Sequence, residues 1–221
     1  MAIVWPCPLS VESYAAAGRE IEVPRPDCPR CSSSMTFWSG YWRHIREAGR
    51  CQKLFVPRAR CRPCQVTHVV LPGFLLTGRL DVVETVGAVL THVIDGPGGV
   101  RPAAEHVEVP HTTARGWLRR FSARAVSLAV SFAALAVELG GEAVVARDDA
   151  SSIALSAIRA SFRAATSLPG WATIGLWAFA SSVSGGTLLA TNTDSPYLVV
   201  GRRRFMPPVP SLTTTEERHG T

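Results

Sequence analysis

Two short cysteine pairs, Cys28-Pro-Arg-Cys31 and Cys61-Arg-Pro-Cys64, constrain this chain more than any other feature. A two-residue spacer lets both thiolates of a pair point at one ion, while the turn's backbone N–H groups bond the sulfurs. Two such knuckles complete a closed tetrahedral shell of four thiolates, the arrangement of structural zinc. The 29 residues between the pairs must then run out and back. They read as a hairpin. Met35-Thr-Phe-Trp-Ser-Gly-Tyr-Trp-Arg is aromatic and strand-prone, Glu47-Ala-Gly49 is a turn, and Lys53-Leu-Phe-Val-Pro-Arg returns to the second pair. The pattern predicts a zinc ribbon with Cys28, Cys31, Cys61 and Cys64 holding structural Zn2+. A closed shell leaves no position for an activated water, so no metal catalysis is expected there. Two disulfides or reactive thiols are the alternative, disfavoured where thiols stay reduced. Cys7, Cys51, His44 and His68 are of ligand type too, and each is read as a bystander.

Charge points the same module towards an anion. The chain carries 23 Lys/Arg and 17 Asp/Glu, net +6, and the whole excess lies in residues 1–125, residues 126–221 being neutral. Residues 25–64 alone hold nine basic and two acidic side chains. Arg43, Arg46, Arg50, Lys53, Arg58 and Arg60 sit on or near the hairpin among Trp38, Tyr41 and Trp42. Cations attract phosphate, and aromatics either fill a small core or stack on bases. Arg43, Arg58 and Arg60 are the expected phosphate contacts of this module.

A different periodicity follows. Residues 80–94 place Val82/Val83, Val86, Val89/Leu90 and Val93 on one helical face, which Gly96-Pro-Gly-Gly ends. Arg101-Pro-Ala-Ala-Glu-His-Val reads as a two-turn helix with Pro102 at its first position, where a missing N–H costs nothing. Glu108-Val-Pro110 is a turn, and His111-Thr-Thr-Ala-Arg-Gly-Trp-Leu-Arg-Arg-Phe a second short helix. Ala104, Val107, Val109, Ala114, Trp117 and Leu118 fall on the inner side, where a helix-turn-helix needs them. His111, Thr112, Arg115 and Arg119 then face outward, able to donate to base edges or phosphates in a major groove, with Arg101 and Arg120 beside them. One departure stands out: the turn position often held by glycine is Glu108, a residue without easy access to positive φ.

Taken together, CPRC, FWSGYWR, VPRARCRPCQVTHVVLPGFLL and RPAAEHVEVPHTTARGWLRRF resemble an uncharacterised actinobacterial family of zinc-ribbon plus helix-turn-helix proteins. That family is similar to the N-terminal DNA-binding part of insertion-sequence transposases. The resemblance covers residues 1 to about 125. It implies double-stranded DNA as partner and a mobile-element ancestry, and no established activity.

The fold class expected is mainly α with a small β zinc ribbon, followed by a helix-turn-helix and an Ala-rich helical C-terminal half. The divisions are residues 1–24 (a lead-in), 25–76 (the ribbon), 79–124 (the helix-turn-helix), 125–200 (helical packing or dimerisation) and 201–221 (a disordered tail). Ala125, Leu128, Phe132, Leu135 and Leu139 form a seam suited to intrachain packing or to a homodimer through 122–139, and Val126, Val130 and Val137 make the opposite side apolar too. The uncharged stretch between Arg163 and Asp194 is diluted by Ser, Thr and Gly and interrupted by Pro169-Gly170, so a buried helix is expected rather than a membrane span. The N-terminal residues have no signal-peptide pattern, which favours the cytoplasm. Carboxylates after residue 125 (Asp148, Asp149, Asp194 and Glu216 among them) do not sit on a recognisable α/β nuclease core, so no enzyme activity is expected. A catalytic transposase fragment and a zinc-ribbon adaptor that binds protein are the alternatives.

Overall fold

The structure is a computed structural model that describes residues 2–141 and 149–191. Its β part begins earlier than the cysteine pattern suggests. Strand β1 (Ala2–Trp5) pairs in parallel with β4 (Thr67–Pro72), β4 pairs antiparallel with β3 (Arg50–Arg60), and β3 pairs antiparallel with β2 (Thr36–Glu47), giving the order β1-β4-β3-β2. The expected hairpin is thus present, closed by Ala48 and Gly49, whose φ values of 44° and 74° give the left-handed pair that matches strand twist. Helix α1 (Val11–Ala17), capped by the Ser10 hydroxyl on the Ser13 amide, covers one face of this sheet. Tyr14 sits there with Ile45, Leu54, Val56, Leu71 and Phe74, and its hydroxyl donates to the Phe55 carbonyl at 3.2 Å. A second small core joins Met35, Ala59 and Val70 to Cys28 and Cys61.

Five helices build the second layer: α2 (Val83–Asp95), α3 (Val100–His106), α4 (His111–Glu138), α5 (Ala150–Ala165) and α6 (Leu176–Val183). Their shared core runs from Leu76 to Leu189, with Phe179 at its centre against Trp171, Phe162 and Phe132 at centroid distances of 5.3, 5.5 and 6.3 Å. Gly87 admits the Trp177 indole, which would lie 2.1 Å from any Cβ there. The Asp149 carboxylate caps α5 by accepting from the Ser152 amide at 2.9 Å. Sheet and helices are tied directly. Arg46 on β2 makes a 2.6 Å ion pair with Asp81, which is 3% exposed, and Ser181 on α6 donates to the Leu75 carbonyl at 2.6 Å.

Several expectations change. Among the described residues the chain is mixed α/β, a four-stranded sheet with six α-helices, rather than mainly α with a small β ribbon. The stretch read as a lead-in supplies β1 and α1. The division expected at 124/125 falls inside α4, which continues for 28 residues instead of ending as a short helix. The seam Ala125, Leu128 and Phe132 is buried within the chain, while Val126, Val130 and Val137 are exposed. The uncharged region yields α6, eight residues of which seven are buried, and too short to span a bilayer. By length and composition, α4 is the one described helix apolar enough to cross a membrane, and 33% of its apolar window is buried in the protein. The expected tail, with Asp148, Asp194 and Glu216, lies outside the described residues.

Candidate metal centre and nucleic-acid face

Both knuckles are made by the same turn. In the first, the Cys28 amide donates to the Ser33 carbonyl at 2.9 Å, and Ser32, just after the second cysteine, has φ 61°. In the second, the Cys61 amide donates to the Val66 carbonyl at 2.9 Å, and Gln65 has φ 56°. Each turn therefore folds its two thiols to one side, and the β2–β3 hairpin brings the two turns face to face. The sulfurs of Cys28, Cys31, Cys61 and Cys64 all lie within 4.8 Å of one another. A tetrahedron with metal–sulfur bonds of about 2.3 Å needs sulfurs about 3.8 Å apart, so the cluster fits that shell. Cys31 and Cys61 approach to 3.5 Å, far longer than the roughly 2.05 Å of a disulfide, and all four are free thiols.

The four thiols perturb one another's protonation. Hydrogen bonds from Ser33, its hydroxyl first, pull the Cys31 thiol down to about 6. The Cys64 thiol is pushed up to about 12, mainly by its hydrogen bond to Cys31 and then by burial. Four thiols this close do not all ionise unaided, because each negative charge opposes the next; a divalent cation removes that penalty. The arrangement is consistent with a structural metal site. Cys7, Cys51, His44 and His68 lie outside the cluster. Cys51 faces His44 across the hairpin at 3.9 Å, Cys7 is buried with its thiol pushed up to about 11, and buried His68 is shifted down by desolvation.

The candidate DNA-facing residues separate into two groups. His111, Thr112, Arg115 and Arg119 are exposed along the first turns of α4, while Ala114, Trp117 and Phe121 on its other side are buried. Arg120 is half-buried, donating to the Gly116 carbonyl at 3.0 Å, and Arg101 is exposed in a loose 3.7 Å pair with Glu105. The turn between α3 and α4 contains Glu108 at φ 55°, so the position without glycine adopts the left-handed conformation all the same. On the hairpin, Arg60 is exposed and bonds the Gln65 amide oxygen at 2.5 Å, and Arg58 lies over the Trp38 ring at 5.5 Å. Arg43 differs. Its guanidinium turns inward and donates to the carbonyls of Leu76 and Arg79, fastening β2 to the segment before α2, so it is a structural clamp rather than an outward cation.

Two groups escaped the sequence reading. Asp81, buried and paired with Arg46, was not singled out, and its place directly before the apolar Val82-Val83 was the available signal. Glu84 sits in the first turn of α2, and its carboxylate accepts from the Ala178 amide at 3.2 Å, capping α6 from another helix. Nothing local in the sequence pairs those two positions. Glu84 also lines an open cavity of about 370 Å³ with Thr91, His92, His106 and Trp177.

Sheet, helical body and sulfur cluster together define a mixed α/β protein carrying a four-cysteine site suited to a structural metal. Residues 28–117 match a protein family described as a domain of unknown function (DUF6431). The match opens on the first knuckle and closes on Trp117 in α4. No curated protein and no solved structure matches the chain.

Proposed function

We propose that this chain is a non-catalytic, double-stranded-DNA-binding protein of the transcription-regulator or transposase-related kind, with zinc in the four-cysteine site. The observation that carries the reading is the two-sided start of α4. One side is buried, and the other presents His111, Thr112, Arg115 and Arg119 to solvent directly after a short helix and a left-handed turn. This arrangement supports a helix-turn-helix reading, in which the second helix would lie in a major groove with its N-terminal residues at base edges. Zinc suits four thiolates in a closed shell and would act there by holding the knuckles together. In this reading Arg101, Arg58 and Arg60 would meet phosphates, a role not given to Arg43.

A second copy is the partner this reading assigns to the outer face of α4. Ala123, Val126, Val130 and Val137, at spacings of three, four and seven, are exposed and continue the face that carries Arg115 and Arg119. A dimer would present two such ends to successive grooves. Titrating the zinc-loaded protein against a random duplex library at several salt concentrations tests the whole reading. Binding should fall steeply with salt, since each neutralised phosphate contributes a log–log slope of about −0.9. Sedimentation of the complex should give two chains per duplex. Sites selected from the library should lose about 1–3 kcal/mol of binding in Arg115→Ala, with relaxed preference at one base pair. Unchanged affinity and selectivity in that variant would remove α4 from the reading.

A further inference from the structure

The outer face of the β2–β3 hairpin is paved with aromatic rings, each holding a cation. Trp38 is 56% exposed with the Arg58 guanidinium 5.5 Å from its ring. Trp42 is 40% exposed with the Lys53 ammonium at 5.3 Å, and it meets Phe55 edge-on at 5.6 Å. Phe55 in turn carries Arg19 at 5.4 Å. Its ring crosses Gly40, where any Cβ would lie 2.2 Å away. Trp42 and Phe55 thus form a pair with a cation on each, and Trp38 with Arg58 stands beside a register shift between Phe37 and Ser39. No acidic residue occurs in Thr36–Arg46 or Cys51–Arg60.

We infer that this aromatic and basic surface of the hairpin is a binding site for single-stranded nucleic acid. The exposed Trp38 and Trp42 indoles offer surface for stacking bases, and Arg58, Lys53 and Arg19 beside the rings neutralise phosphates. The occupant is single-stranded because the faces of paired bases are already stacked on their neighbours and cannot meet an aromatic ring. An acidic peptide would satisfy the cations and leave the rings in water. The site is separate from α4 and stands whether or not α4 reads duplex DNA.

The test is fluorescence anisotropy of the zinc-loaded 221-residue chain with labelled oligothymidylate, oligouridylate, duplex DNA and polyglutamate. The wild type binds a single strand, DNA or RNA, and Trp38→Ala weakens that binding roughly 5- to 150-fold, the range expected for one lost base stack. Trp38→Phe restores most of it, and Arg115→Ala leaves it unchanged. Circular dichroism and metal content show that each variant is folded. Trp38→Ala and Trp42→Ala variants that hold the strand as tightly as the wild type would overturn the inference. So would polyglutamate binding more tightly than either strand. Loss of duplex binding alone, with the Trp38 effect intact, counts against the α4 reading and leaves this site standing.

Discussion

Glu108 holds a conformation that its side chain opposes. A residue with a Cβ at φ 55° brings that carbon too close to the following carbonyl, at a cost of roughly 1 kcal/mol that glycine does not incur. The turn between α3 and α4 is nonetheless made, because the Val109 amide bonds the Ala104 carbonyl at 3.0 Å and both flanking helices are anchored in the core. Its carboxylate reaches the hairpin tip, where a Cβ on Gly49 would lie 2.5 Å from it. Replacement by glycine should therefore raise the stability to urea by about 0.5–1 kcal/mol, and replacement by valine should lower it. The equilibrium unfolding midpoint decides between the two signs. A Glu108→Gly midpoint below the wild type would mean that the contact with the hairpin outweighs the strain.

Between elements, Glu84 shows how a carboxylate can join two helices and weaken them at the same time. It accepts from the Ala178 amide, yet burial raises its pKa above the ordinary carboxyl value. The folded state therefore binds its proton more tightly than the unfolded state does. Stability from this group is present in full at pH below the unfolded value and declines as pH rises through the folded one. Glu84→Gln keeps the acceptor and discards the charge. Urea midpoints at pH 4 and pH 7.5 should show the wild type losing more stability over that interval than the variant; parallel behaviour would remove Glu84 as the cause.

The same scale shows what was legible in the sequence. The hairpin was, because it is local and bounded by cysteine pairs, and so was the buried side of α2, because apolar spacing survives in a surface helix. The four sulfurs were legible for the same reason: turn chemistry alone decides where a Cys-x-x-Cys points its thiols. Strand β1 was not, since four residues pair with a partner more than sixty positions away. Nor was the length of α4. Its first turns look like a short helix, and only packing against α5 shows why the chain does not stop at Phe121. Arg43 was misplaced because an arginine clamping two carbonyls looks, in sequence, like any other arginine on a basic strand.

For the whole molecule, the metal site matters because the core beside it is so small. Met35, Ala59 and Val70 bury little apolar surface apart from the two cysteines they touch. A metal bound there would contribute folding free energy to the sheet directly. Purified protein should contain one zinc per chain, and a strong chelator or Cys61→Ser should remove it. Amide exchange in β2, β3 and β4 should then accelerate, while α5 and α6, which share the other core, keep more of their protection. Metal-free protein with an unchanged exchange pattern would show that the sheet stands without the ion.

The span 28–117, which matches a family, is not the span that folds. It starts after β1 and α1 have been laid down and stops at Trp117, a quarter of the way along α4. Leu90, Val86 and Ala114 within it are covered by the core that α5, α6 and the rest of α4 complete. Excised as a fragment, it would lose a strand from one side of its sheet and uncover the apolar flank of α2. The unit recognisable by kinship and the unit that can stand in water are therefore different lengths of the same chain, and protein design or truncation should follow the longer one.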